Sequence, residues 1–187
     1  HHLNDHMVSA GMVAPAQICA MRAQRLFEYH GVPQSVCDEL VRANYYHGSR
    51  NPEAVAYGKD FDVAEAHASR WIAEPFRLFD CSRENDGAGA LLVVSSELAR
   101  DLRKVPVKLL SVAQGAGQGW GDLLENDAAD LYPTAGFQAI RERLYTQAGL
   151  TPADIDVVQL YENFSAQGIA SLIDHGFCTY ENVAEVV

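Results

Sequence analysis

Long apolar runs are missing from this sequence of 187 residues. The longest, "AGALLVV" from Ala88 to Val94, falls far short of the roughly 20 residues a helix needs to cross a bilayer, so no membrane span is expected. Basic residues are scarce: 14 Lys and Arg stand against 25 Asp and Glu, a formal net charge of -11. Binding along a nucleic-acid backbone relies on Lys and Arg displacing counterions from phosphates, and so acidic a chain is not built for that partner. Cysteine is sparse as well. Cys19, Cys37, Cys81 and Cys178 are widely spaced with no C-x-x-C pair, which argues against a zinc site or a disulfide framework and for a reduced, cytoplasmic setting. Internal repeats and low-complexity segments are also absent.

What is there is ordinary globular material, 48% hydrophobic and 21% charged, enough for one or two small domains with a core of their own. Residue 1 is His, not Met; the His1-His2 pair reads as the remnant of a tag and both ends as cuts. From Pro15 to His30, Cys19, Ala23, Leu26, Phe27 and His30 recur at three- and four-residue spacings, which predicts an amphipathic helix stopped by Gly31. A second helix is predicted from Pro33 to Gly48 with Val36, Leu40 and Val41 facing inward, followed by a loop, "SRNPEAVAYG". Asp62 and Glu65 have the spacing of a capping box for a third helix, closed by Pro75.

The pattern then changes. "GALLVVSS" and "VPVKLLSVAQ" read as strands, with a brief helix capped by Ser95 or Ser96 between them. Phe137, Ile140, Leu144 and Ala148 form a helical stripe, "IDVVQL" is a third strand, and "FSAQGIASLIDHG" a helix after it. Continuously apolar strands alternating with helices predict an α/β arrangement around a parallel-rich sheet with flanking helices, preceded by a mostly helical part.

Among chemistry-bearing residues, His30, His47 and His175 each precede a glycine that ends a helix, where an imidazole serves the last carbonyls and the helix dipole. His6 and His67 have no partner at a metal-ligand spacing, and no metal site is proposed. "GAGQGWG", Gly115 to Gly121, lacks the G-x-G-x-x-G spacing of a dinucleotide-binding turn and adjoins the acidic "DLLEND", so a loop is the better reading. Cys81 and Cys178 have no base nearby in sequence and read as small buried residues. The polar end of the third strand, Tyr161, Glu162 and Asn163, is the exception. In open α/β sheets ligands bind beyond the carboxyl ends of the strands, and the next helix aims its unpaired N–H groups at the same place. A phenol there exchanges a proton more readily, and a carboxylate serves as base or orients a partner. Capping of that helix by Asn163 or Ser165 explains the same polarity, and the residues alone leave both readings open.

Two stretches together, "SRWIAEPFRLFDCSRENDGAGALLVVSSELARDL" and "GLTPADIDVVQLYENFSAQGIASLIDHGFC", resemble the thiolase superfamily in its lipid-transfer-protein branch, related to the sterol-carrier-protein thiolases. The resemblance extends from about Gly11 onward and implies an internal fragment with a partial thiolase-like fold. Residues 1–75 would be the helical loop domain that shapes an acyl-CoA pocket, 76–104 the end of the N-terminal thiolase half, and 105–187 the start of the C-terminal half. Tyr161 to Phe164 match the family's Asn-Glu-Ala-Phe motif: Tyr161 stands in the asparagine place, Glu162 in the glutamate place, Asn163 in the alanine place and Phe164 in the phenylalanine place. Exchanging a water-fixing amide for a weak acid departs from ordinary thiolysis and suits retro-aldol cleavage of a β-hydroxyacyl thioester, as in thiolase-like steroid side-chain aldolases. The resemblance thus implies Tyr161 as proton-transfer group and Glu162 as its catalytic companion, with Asn163 and Phe164 in the substrate pocket. It implies coenzyme A as part of the substrate with no covalently bound cofactor, a homodimer in full-length form, and an OB-fold, zinc-containing partner protein. The alternatives it leaves are a thiolase-type acyltransferase and a non-catalytic lipid or acyl-CoA-binding subunit.

Overall fold

The computed structural model describes residues 2–102, 105–115 and 137–187. Gly115 is thus the single described residue of the glycine-rich Gly115–Gly121 loop; the remainder lies outside.

The helices follow the apolar stripes closely. After a short α1 (His2–Ser9), α2 runs from Pro15 to Glu28 and buries Ala20, Ala23 and Leu26, with Cys19 and Phe27 packed at the edge of the same core. Proline at its first position loses nothing, because that N–H has no partner within the helix. Helix α3 (Ser35–Gly48) buries Val36, Cys37 and Val41, and a turn-rich segment follows it. Asp62 caps α4 (Val63–Ala68), its carboxylate accepting from the N–H groups of Ala64 and Glu65, as the Asp62–Glu65 spacing predicts. Pro75 does not close α4. The helix ends at Ala68, and Pro75 sits in the turn of a β-hairpin, β1 (Trp71–Ala73) with β2 (Phe76–Arg77), its bond to Glu74 cis. A 3-10 turn, Leu78–Asp80, continues from β2.

Ser95 caps α5 (Ser96–Arg100) by accepting from Leu98 N–H. Helix α6 (Gln138–Ala148) stops at Gly149, whose φ of 68° lies in the left-handed region that glycine tolerates without strain. A 3-10 turn (Pro152–Asp154) and helices α7 (Ser165–Asp174) and α8 (Val183–Val186) complete the described elements. Helix α7 is the hub: apart from Leu172, all of its residues are buried, and it packs between α2 and α3. One core draws on all three segments anticipated from the sequence, joining Ala23 and Leu26, Phe76, and Phe164, Ile169 and Val183.

The parallel-rich sheet is where the described residues depart from the sequence reading. Their one sheet is the antiparallel β1–β2 hairpin, and the three apolar runs at 89–96, 105–114 and 155–160 form no ladder with one another. A parallel strand needs the hydrogen-bonding edge of a neighbour, and none of these runs supplies one to another. Their side chains are largely exposed, Leu91 and Val107 each 96%. The third run is fastened only at its end, where Phe164 bridges Cys81 and Ser82 N–H donates to Asn163 O at 2.9 Å. Among the described residues no helix is long and apolar enough to cross a membrane.

Candidate active site

That fastening brings the end of the third run against the helical part of the chain and closes a cavity of about 350 Å³, within the usual size range of small-molecule sites. Helix α3 contributes Val41, Asn44 and Tyr45, which share one face at three- and four-residue spacing. Lys59 comes from the turn-rich segment, Leu78 to Asp80 from the 3-10 turn, and Cys81, Ser82, Arg83 and Asn85 from the chain after it. Glu162 and Ser165 close the far side. The lining is mostly apolar, with two cations and two carboxylates set into it.

Of the two carboxylates, Asp80 is committed to structure. One oxygen accepts from the Ser165 hydroxyl at 2.6 Å and the other from Arg77 N–H at 2.8 Å, so it pins the first residue of α7 to the hairpin. Glu162 is the available one. Burial pushes its carboxyl above the ordinary glutamate value of 4.5, and a hydrogen bond from Asn44 pulls back in the opposite direction. Asn44 Nδ2 donates to Glu162 Oε1 at 2.5 Å. The same side chain is confined from behind: a Cβ added at Gly168 would lie 2.7 Å from Glu162 Oε2 and 2.5 Å from Leu40 Cδ2. Gly168→Ala in an unconstrained helix would gain up to about 1 kcal/mol. Here overpacking is expected to reverse the sign, costing about 1–3 kcal/mol in a urea-unfolding comparison. A stabilised variant would show that Glu162 and Leu40 give way freely.

The other residues singled out from the sequence separate from Glu162. Tyr161, its chain neighbour, is 86% exposed and is not among the residues lining the cavity. Asn163 uses its carbonyl to accept from Ser82 N–H. Phe164 is 8% exposed and stacks on Phe76, ring centroids 5.1 Å apart and planes within 11°, so it serves the core and not the cavity wall. Phe164 also occupies the N-cap of α7, where no side chain caps the helix. The capping explanation of the local polarity therefore does not hold: Asn163 is not the cap, and Ser165 spends its hydroxyl on Asp80.

Of the thiols and imidazoles, Cys178 and His175 behave as the sequence suggests, whereas Cys81 is half-buried and lines the cavity. Burial, and then the charge of Asp80, pushes the Cys81 thiol up to about 11, and burial raises Cys37 to about 12, so neither carries a thiolate at neutral pH. Cys19 and Cys178 are raised by burial too. His175 Nδ1 lies 2.8 Å from Ser171 O at the end of α7, the expected helix-end contact. His30 instead stacks on Tyr180 at 3.9 Å, and His67 pairs with Asp38 at 3.0 Å. Among the described residues no group of three or more His, Cys, Asp and Glu is arranged to hold a metal ion.

Sequence reasoning missed Asn44, Lys59 and Arg83. For Asn44 a signal existed. It follows Leu40 and Val41 by four and three residues, which puts an amide beside the inward stripe of α3, although Asn44 itself is exposed. Lys59 and Arg83 carry no such mark, because cations in turn-rich segments are commonplace.

A family model, "Thiolase C-terminal domain-like", matches residues 117–187. The chain is 35% identical to the 17-hydroxy-3-oxo-4-pregnene-20-carboxyl-CoA lyase of Mycobacterium tuberculosis, the alignment covering 94% of this chain and 45% of that protein. It is 33% identical to the steroid side-chain-cleaving aldolase of Thermomonospora curvata, over 90% of this chain and 43% of that protein. Identity to sterol carrier protein 2 of Oryctolagus cuniculus is 27%, over 94% of this chain and 32% of that protein. A solved structure, "Ltp2-ChsH2(DUF35) aldolase", superposes with a TM-score of 0.85 at 30% identity, over 95% of this chain and 48% of that one. The architecture is thus a partial thiolase-like α/β fold, and the chain spans less than half the length of these relatives.

Proposed function

We propose that the protein containing this chain, which is similar to thiolase-like proteins of the sterol-carrier and lipid-transfer branch, cleaves a carbon–carbon bond beside an acyl-CoA thioester by a retro-aldol reaction. The observation that carries the reading is the Glu162 carboxylate, set in a mostly apolar cavity and held above its ordinary pKa. Similarity to a carboxyl-CoA lyase and a steroid side-chain-cleaving aldolase supports a β-hydroxyacyl-CoA as substrate, with a steroid side chain as its acyl group. In this proposal residues 1–75, 76–104 and 105–187 are the loop domain, the end of the first thiolase half and the start of the second.

The chemistry needs two proton movements. The β-hydroxyl loses its proton, the Cα–Cβ bond breaks, and its electron pair moves onto Cα as a thioester enolate while Cβ becomes a carbonyl. A proton then returns to Cα. Glu162 takes the hydrogen bond of the hydroxyl in the cavity and orients it. Tyr161 is kept as the group that exchanges the proton, although its side chain is 86% exposed and does not line the cavity. Asn163 and Phe164 support this pair through the backbone and the core. Lys59 and Arg83 offset the protein's negative charge where the phosphates of coenzyme A approach. The same proposal includes a homodimer and an OB-fold, zinc-containing partner protein, which the sequence resemblance implies; the matched structure, "Ltp2-ChsH2(DUF35) aldolase", likewise names a second protein. It places both in the cytoplasm, where thiols such as these stay reduced.

The test is to incubate the full-length protein and its partner with a β-hydroxyacyl-CoA and follow the products by mass spectrometry. The expected outcome is a shortened acyl-CoA together with a carbonyl compound. Intact substrate, or an acyl group transferred to a cysteine, overturns the reading.

A further inference from the structure

We propose that Asn44 is a positioning residue of this site, one that fixes the Glu162 carboxylate in the cavity, an inference that rests on the role proposed for Glu162. The contact bridges 118 residues of sequence and ties α3 to the end of the third apolar run. It is the hydrogen bond that opposes burial at Glu162. On the opposite side the carboxylate occupies the space that a side chain at residue 168 would fill, so it lies between Asn44 and α7.

The choice of an amide fits proton traffic. Asn44 is neutral at every pH, so it does not favour the ionised form of Glu162 as strongly as a Lys or Arg in the same place would. Its Nδ2 donates to the carboxylate, and a half-turn of the same amide presents Oδ1 to accept from the carboxylic acid. Both protonation states of Glu162 therefore keep a partner. The other titratable side chains facing the cavity are Tyr45, Lys59, Asp80, Cys81 and Arg83; Asp80 is already occupied by Ser165 and Arg77.

The experiment is an infrared titration of the full-length protein, in which the Glu162 carboxyl band is identified as the one lost in Glu162→Gln. Asn44→Leu, close in shape but without a donor, is expected to move the midpoint of that band upward by about one pH unit, a tenfold change in ionisation constant. Asn44→Gln keeps the amide and is expected to bring the midpoint back toward that of the unsubstituted protein. Should the leucine variant not fold, Asn44→Ala, which introduces no clash, provides the same measurement. An unchanged midpoint in the donor-free variant overturns the inference, because a purely structural Asn44 would alter stability without moving the band. Full cleavage activity in Glu162→Gln would instead remove Glu162 from the chemistry while leaving the infrared result to decide the role of Asn44.

Discussion

Replacing Glu162 with Gln is expected to lower kcat for β-hydroxyacyl-CoA cleavage by about 10²–10⁴-fold, the span typical of a lost proton-transfer or orienting group, while the fold survives. The amide keeps the shape of the side chain and an oxygen that accepts from Asn44, so it removes the charge and the proton affinity and little else. The effect on stability has the opposite sign. Burial raises the folded-state pKa of Glu162 above its unfolded value, so the folded protein binds the proton more tightly. The ionised carboxylate therefore costs stability at pH above the folded pKa, and the cost disappears as pH falls below the unfolded value. Glu162→Gln should accordingly be the more stable form in urea at neutral pH, with the advantage gone near pH 4. An inactive variant that is also destabilised at neutral pH would mark Glu162 as a structural residue. The acid limb of the unsubstituted enzyme's rate profile should lie above the 4.5 of an ordinary glutamate. Tyr161→Phe separates the two roles. If the phenol exchanges the proton, kcat falls comparably and the acid limb stays where Glu162 puts it; unchanged cleavage takes Tyr161 out of the mechanism.

How much of this was legible in the residues varies with the range of the forces involved. Helices α2, α3 and α6, the Asp62 and Ser95 caps and the Gly149 stop follow from local spacing, because each is decided by contacts within a few residues. The β1–β2 hairpin was not legible: Pro75 reads as a helix stop, and nothing local says that it turns a hairpin whose Phe76 enters a core built by α7. The site divides in the same way. Glu162 stands out as a carboxylate ending an apolar run, but its opposite wall comes from α3, more than a hundred residues away, and only folding brings Asn44 to it. Tyr161 and Glu162 look like a pair in sequence, yet one is exposed and the other lines the cavity.

Phe76→Ala is expected to be the most destabilising single change among these, because Phe76 is where fold and site are joined. Its side chain is 1% exposed and stacks on Phe164, the N-cap residue of α7. Truncating a buried phenylalanine to alanine costs about 3–5 kcal/mol, from lost transfer energy and from the void left behind. For a chain of this length each kcal/mol is worth about 2–4 °C, so the thermal midpoint should drop on the order of 10 °C by circular dichroism. The damage should also reach the cavity. Phe76 is followed by Arg77 and the Leu78–Asp80 turn, and Asp80 fixes Ser165, so loosening the stack loosens the cavity wall and the start of α7 together. Phe76→Leu retains most of the apolar volume and should recover more than half of the lost stability. If instead the midpoint of Phe76→Ala stays within about 2 °C of the unsubstituted protein, the Phe76–Phe164 stack is not what seats α7, and the placement of Glu162 must depend on the α3 contacts alone.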